Sequence, residues 1–241
     1  MTIVRPDVTF DAKKHKYYLD GEELLGISTV AKIGGALDAF GVASAWGYNL
    51  GVEGAYEIRN LSQFETLKAF KDEMKRRGLT PWSKSKKAQD RGNYVHDVLE
   101  ALATSGEVPD LDGIAGEEAG HARGVLKWYV EWQPSFVSTE VQVVSATHKF
   151  AGRYDIRARV KDVLCLIDLK TSKRVYEEQH FPQLMGYEIA SVEMGFPPTE
   201  EQYVLNTHPD GTYDFVLSTA IEEDFLAFLA AAKSIRRMKG K

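Results

Sequence analysis

A single cysteine, Cys165, occurs in 241 residues. Its solitude excludes an internal disulfide and any cysteine-held zinc or iron–sulfur centre within one chain. It lies in an apolar run, "VLCLIDLK", where a buried packing role is expected rather than a reactive thiol. No apolar stretch approaches membrane-spanning length, and the opening "MTIVRPDVTF" lacks the basic-then-apolar pattern of a signal. A cytoplasmic protein with no membrane partner is therefore expected. Repeats at solenoid periods and low-complexity tracts are absent as well. So is an excess of positive charge: 30 Lys and Arg stand against 35 Asp and Glu, a formal net charge of -5. That sum does not advertise nucleic-acid binding, but distribution matters more than the total. Basic residues gather in "KRR" (Lys75–Arg77), in "KSKKAQDR" (Lys84, Lys86, Lys87, Arg91) and in the tail "KSIRRMKGK". Taken singly, each reads as a solvated face.

What is present is an ordinary globular composition. Hydrophobic residues make up 44% and the mean hydropathy is -0.30, enough to bury a sizeable core. The length fits a single domain over 1–241, divided into an N-terminal hairpin and helical region, 1–83, and a core, 84–241. Short strands open the chain around an Asp20-Gly21 hairpin turn, and Ser28 is placed to cap the next helix. From about residue 37 to 132 the pattern is mostly helical, with breaks at Gly78–Pro81 and around Gly106–Gly116. "LSQFETLKAFKDEMKRRG", "KAQDRGNYVHDVLEALATSG" and "EEAGHARGVLKWYVEWQ" each read as a helix. The period then switches to strands in "FVSTEVQVVS", "KFAGRYDIRARV" and "DVLCLIDLK". A helix containing Pro182, a strand pair and a final helix over 220–238 complete a mixed α/β layout, with helices flanking one sheet.

The chemistry gathers at strand ends. Asp168 and Lys170 point to one side of their strand and Leu169 to the other. Apolar residues on both faces of that strand mark it as central and covered, so its terminal charges need partners. The preceding strand carries Asp155 on one face with Arg157 and Arg159, and a hairpin at Lys161-Asp162 sets Asp155 across from Asp168. Carboxylates that close repel unless a proton or cation is shared. Hard oxygen ligands suit Mg²⁺ or Mn²⁺, as one or two ions, with the Leu169 carbonyl as a further candidate ligand. Lys170 would hold or deprotonate a water, or stabilise developing charge. A structural ion pair of Lys170 with Asp168 or Asp155 is the competing reading. His96, at the rim of a helical stripe of Val95, Val98, Leu99 and Leu102, offers an imidazole nitrogen. Gln183 and Tyr187, four apart, share a helix face. Glu140, taken alone, reads as an exposed strand glutamate. Trp46, Trp82 and Tyr94 could stack on bases, although core packing is the expectation for each.

The ordered set "GNYVH", "GRYD", "DLK" and "QLMGY" resembles the PD-(D/E)XK nuclease superfamily, and within it the RecB-type branch that includes phage exonucleases. The likeness covers residues 91–190; each motif is weak alone, and the order and spacing of all four carry it. "KYYLDGEELLGISTV" is a softer match to the opening of viral members. The resemblance implies a restriction-endonuclease-like fold with a central mixed β-sheet flanked by helices. It implies that His96, Asp155, Asp168 and the Leu169 carbonyl bind metal, with Glu140 as an extra acid. Lys170 takes the catalytic-lysine position, and Gln183 and Tyr187 orient DNA or that lysine. Lys84, Lys86, Lys87, Arg91, Lys173 and Arg174 are candidates for backbone contacts. The resemblance also implies a role in phage biology, recombination or repair, a recombination or replication partner protein, and host cytoplasm if the source is viral. Aspartate stands where D/E-x-K more often has glutamate. The four cluster-binding cysteines of some relatives are missing, so no iron–sulfur cluster is expected.

The expected activity is Mg²⁺-dependent hydrolysis of DNA, with an exonuclease favoured. A non-catalytic DNA-binding or assembly subunit, a structure-specific or restriction endonuclease, and a hydrolase of small phosphate esters are the alternatives. Strand preference, polarity and oligomeric state are not legible in one chain.

Overall fold

A computed structural model describes residues 7–59, 61–106 and 116–240; over 36–46 only the helical backbone is described. Two compact units emerge, one from the described residues of Met1–Gly35 and Val95–Lys241, the other from Ala36–Tyr94.

The first unit opens with a small antiparallel sheet, β1 (Val8–Asp11), β2 (Lys16–Leu19) and β3 (Glu22–Glu23). Asp20 and Gly21 link β2 to β3 with φ of 51° and 81°, the paired left-handed residues of a type I′ turn. A two-residue strand β4 (Leu25–Gly26) leads directly into α1 (Ile27–Ile58). Helix α1 thus starts one residue before Ser28, which lies in its first turn instead of capping it.

The main sheet has six strands: β4, β5 (Ser135–Ser145), β6 (Phe150–Val160), β7 (Val163–Lys170), β8 (Glu201–Thr207) and β9 (Tyr213–Leu217). Its order is β4-β6-β7-β8-β9, with β5 on the other edge of β6. The pairs β5–β6, β6–β7 and β8–β9 are antiparallel, whereas β4–β6 and β7–β8 are parallel. Lys161 and Asp162 join β6 to β7 with φ of 49° and 70°, again a type I′ geometry that fixes register. The parallel β7–β8 pair needs a crossover, supplied by α5 (Glu177–Glu193).

Helices cover both faces. On one, α5 and the closing α6 (Glu222–Met238) pack over Tyr154, Leu166 and Val204, with Phe225 edge-on to Phe150 at 4.9 Å. On the other lies α4 (Glu117–Trp132), whose His121 Nδ1 is 3.0 Å from Thr207 Oγ1. Val204 and Thr207, three residues apart on β8, necessarily face opposite sides. Pro182 stands inside α5 and cannot donate to the Glu178 carbonyl. Gly34 of α1 closes on that carbonyl: a Cβ at position 34 would lie 1.9 Å from its oxygen.

The second unit holds the remainder of α1, a 3₁₀ turn (Leu61–Gln63), α2 (Leu67–Arg76) and the first part of α3 (Pro81–Ser105). The helix expected to run from Leu61 begins at Leu67, because Thr66 caps it by accepting the Ala69 amide at 3.2 Å. Helix α3 starts at Pro81, six residues before the helix expected from Lys87, so Lys84 and Lys86 also belong to the helix of His96. Ile58, Met74 and Leu79 form a small core with Phe64 and Phe70. Trp82 is not core: 82% of it is exposed. The side chain of Trp46 and most of the break expected around Gly106–Gly116 lie outside the described residues. Among the described residues, no helix is long and apolar enough to cross a membrane.

Candidate functional site

The ladder between β6 and β7 ends at Ile156 and Ile167. Beyond it β7 follows β8 as far as Lys170, opposite Asn206, while β4 pairs with β6 only at Phe150 and Ala151. Residues 152–155 of β6 therefore have β5 on one side and no strand on the other. The candidate site lies at this fork.

Asp155 Oδ2 accepts the Leu169 amide at 2.7 Å, standing in for the missing ladder partner. Leu169 engages the cluster through its N–H. Asp168 is buried and sits between two donors. Its Oδ2 pairs with the Lys170 ammonium, and its Oδ1 accepts from Gln183 Nε2 at 3.1 Å. Gln183 Nε2 also donates to the Tyr187 hydroxyl at 2.8 Å, so the four-residue spacing on α5 forms one relay. Gly152 of "GRYD" has a packing reason: a Cβ there would lie 2.8 Å from both Ile27 Cδ1 and Tyr187 Cε1.

Glu140 departs from the exposed role expected of it alone. It is a non-glycine residue at φ 52° within β5, an unfavourable backbone that tends to survive where surroundings over-determine it. Its Oε1 lies 3.4 Å from His96 Nδ1 and its Oε2 2.8 Å from Arg153 Nε. His96 Nδ1 is also 3.6 Å from Asp155 Oδ1. Ligand atoms of His96, Glu140 and Asp155 all lie within 4.8 Å of one another. One nitrogen and two carboxylate oxygens at that separation fit a hard divalent cation with open coordination positions. Asp168, expected among the ligands, is paired with Lys170 and Gln183 beside them.

The electrostatics are balanced. Glu140, Asp155 and Asp168 face His96, Arg153 and Lys170. Burial works against a charged His96, but the Asp155 charge and the Glu140 hydrogen bond outweigh it and lift its pKa to about 9. Burial raises Asp155 to about 6; His96 opposes that rise and Asp168 reinforces it. Burial also disfavours the Lys170 ammonium, yet Asp168 and Asp155 raise its pKa above the ordinary lysine value. Lys170 is thus a fixed cation. Burial followed by the Asp168 charge pushes Tyr187 well above the usual phenol range, so it stays protonated.

Other expected residues fall elsewhere. Arg157 does not share an open face with Asp155: it is 1% exposed, donates to Glu188 Oε2 at 3.0 Å and to the Pro197 carbonyl at 2.9 Å. Lys173 and Arg174 are exposed in the loop after Lys170, and the Arg174 guanidinium lies 4.3 Å from the centre of the Tyr176 ring. Lys84, Lys86 and Lys87 are exposed and Arg91 half-buried in the second unit, with Lys86 paired to Asp90 at 3.0 Å. Cys165 is buried and its thiol is pushed up to about 11, chiefly by burial, as a packing role requires.

Sequence reasoning missed three contributors. Arg153 was within reach, since it precedes Asp155 by two and strand alternation gives it the same side. Asn206 holds the loop after Lys170 by accepting the Ser172 amide at 3.2 Å, but its register opposite Lys170 depends on a parallel pairing across α5. His180, buried near Lys170, accepts the Tyr176 amide at Nδ1, 3.2 Å away, and burial lowers its pKa to about 4.

No family model matches the chain, and no curated protein matches it. Among solved structures, the crystal structure of SSO0001 is similar with a TM-score of 0.32 and 15% identity, over 60% of this chain and 74% of that one. What the chain is, at this level, is a mixed α/β protein with a six-stranded mixed sheet flanked by helices and a small N-terminal antiparallel sheet.

Proposed function

We propose that the protein is a metal-dependent nuclease that hydrolyses phosphodiester bonds in DNA, an exonuclease of the RecB-like PD-(D/E)XK kind. The observation that carries this reading is convergence. Three donor side chains and an acid–lysine pair come from α3, β5, β6 and β7 to one fork in the sheet. The motif order favours an exonuclease.

His96, Glu140 and Asp155 would hold a divalent cation such as Mg²⁺ or Mn²⁺, with Asp168 adjacent. When bound, the ion supplies Lewis-acid polarisation of a phosphate oxygen and a more acidic water. The chain's own groups do the rest. Lys170, kept cationic by Asp168, offers positive charge where negative charge builds on the phosphate. Its charged state makes it a stabilising group in the ion-free protein, not a base. Gln183 fixes Asp168, and Tyr187 gives Gln183 its second acceptor, so the pair positions Lys170 indirectly. Lys173 and Arg174, exposed just beyond Lys170, supply sequence-independent attraction for the DNA backbone.

The test digests end-labelled linear and circular DNA, single- and double-stranded, with Mg²⁺, Mn²⁺ or EDTA, beside Lys170→Ala. Cleavage of linear DNA that stops with EDTA and with Lys170→Ala is expected. Cleavage that survives either condition would sink the mechanism, and intact DNA under every metal condition would sink the nuclease reading.

A further inference from the structure

The second unit contains a cavity of about 730 Å³ bordered by α1, α2 and the start of α3, a volume typical of small-molecule sites. Leu50, Phe70, Met74 and Leu79 give it apolar walls, and Trp82 stands in its lining while remaining 82% exposed. A tryptophan left largely in water beside an apolar cavity is an unfinished contact. Gly47 and Gly51, one helical turn apart on α1, also line the cavity, and a Cβ at either would meet nothing within 4 Å. Their missing side chains therefore serve no close packing; they leave room.

The charge around this cavity identifies the occupant. Residues 67–91 carry nine Lys or Arg against three Asp or Glu, a net of +6 in a chain whose total is -5. Some of these cations are engaged locally: Arg76 and Arg77 pair with Glu73, and Lys86 pairs with Asp90. Lys71 and Lys75 line the cavity, lie on one face of α2 and make no ion pair with a described residue. Asp72 is the acidic member of the lining. An apolar slot with an exposed indole and two available ammonium groups combines what a single strand offers: flat bases and a charged backbone.

We infer that this cavity binds unpaired bases of single-stranded DNA, with Trp82 as the stacking partner and Lys71 and Lys75 meeting the phosphates. The inference rests on the nuclease reading for its choice of DNA and adds to it a hold on unpaired strand outside the cluster of His96, Asp155 and Lys170. A duplex, whose bases are stacked on each other, has nothing to place there.

The experiment uses the full chain in EDTA, so that no turnover occurs, and follows the anisotropy of a labelled oligo-dT and of an abasic oligomer of equal length. The base-bearing strand should bind about 5- to 150-fold more tightly than the abasic one, the range that one stacked base supplies. Trp82→Ala and Gly51→Leu should each erase that difference and leave abasic binding unchanged. Gly51→Leu fills the cavity while favouring the helix, so a fold defect does not explain its loss. Lys71→Ala with Lys75→Ala should weaken both strands and flatten the salt dependence. Equal affinity for the two oligomers overturns the inference, as does an undiminished difference in Trp82→Ala. Absence of any oligonucleotide binding also overturns it and leaves the cavity to a protein partner. Base-dependent binding without metal-dependent cleavage would sink the nuclease reading alone; Lys170-dependent cleavage without base dependence would sink this inference alone.

Discussion

Asp155 accepts the Leu169 amide hydrogen at 2.7 Å, so one carboxylate both terminates the β6–β7 ladder and faces His96. The structural bond uses Oδ2 and the contact with His96 uses Oδ1. Stability and the proposed ion binding thereby make different demands on the same side chain.

Asp155→Asn should flatten the acid end of the ion-free protein's stability curve and abolish the proposed cleavage. Burial raises the Asp155 pKa to about 6, from 3.8. The folded state then takes up a proton that the unfolded state lacks between those values, so stability falls as pH rises through about 6 and stays lower above it. Asn removes the charge and keeps an acceptor for the Leu169 amide. Asn carries no proton to titrate, so in EDTA the variant should lose the fall in stability that the parent shows as pH rises from about 4 to about 6, read as Tm against pH. A parent-like fall in that window would contradict the assignment.

Ion binding should expel a proton from His96. With a pKa of about 9 the free imidazole is charged at neutral pH, and only its neutral form can coordinate a metal. Calorimetry of Mn²⁺ binding at about pH 8, in two buffers of different ionisation heat, should report close to one proton released. Affinity should rise roughly tenfold per pH unit up to about 9 and then level off. His96→Ala should bind more weakly and release none.

Gln183→Ala should lower kcat more than Tyr187→Phe does, with KM changing little for either. The first removes the donor that holds Asp168; the second removes only one of two acceptors of that donor. Roughly 1 kcal/mol, about a fivefold rate change, is the scale for the Tyr187 loss. Steady-state kinetics on both variants decide the order.

How much of this was legible in the residues divides by range. The Asp20-Gly21 and Lys161-Asp162 turns were readable because a two-residue loop between paired strands dictates its backbone. Asp155 opposite Asp168 followed from the second of those turns, and Gln183 with Tyr187 from helical spacing. Glu140 entered only through the resemblance, as an extra acid; taken alone it read as exposed, since a left-handed residue inside a strand has no sequence signature for a glutamate. Trp82 was misjudged because hydrophobicity argues for burial, while the exposure of one residue after a helix-starting proline depends on its neighbours in space. Strand alternation set Arg157 with Asp155 and Arg159 but not its burial, because its partner Glu188 comes from a helix whose docking angle no local pattern encodes.

Arg157 also offers a clean stability test. Arg157→Ala leaves Glu188 buried without its guanidinium and should cost about 3–5 kcal/mol. Arg157→Met with Glu188→Leu should recover most of it, since an apolar pair of similar volume avoids the desolvation. Denaturant unfolding of the two variants beside the parent protein reads the loss and the recovery.

His180 predicts acid sensitivity. Its pKa is lowered to about 4 by burial, and the ordinary value is 6.5. Between these the unfolded chain binds a proton that the folded one refuses, so stability should fall as pH drops from about 6.5 to about 4. The loss is on the order of 3 kcal/mol. His180→Asn, which keeps an acceptor for the Tyr176 amide, should flatten that part of the curve.

Strand β4 is two residues long because the chain turns into α1 at Ile27, opposite Gly152 of β6. Had β4 continued, its backbone would have zipped along 152–155 and sealed the aperture in which His96, Glu140 and Asp155 meet. The opening therefore owes its existence to a strand that stops early, and its width is metered by where a helix begins. Among descendants of such a chain, small insertions at Gly26 would close off the proposed centre while every chemical group in it stayed intact.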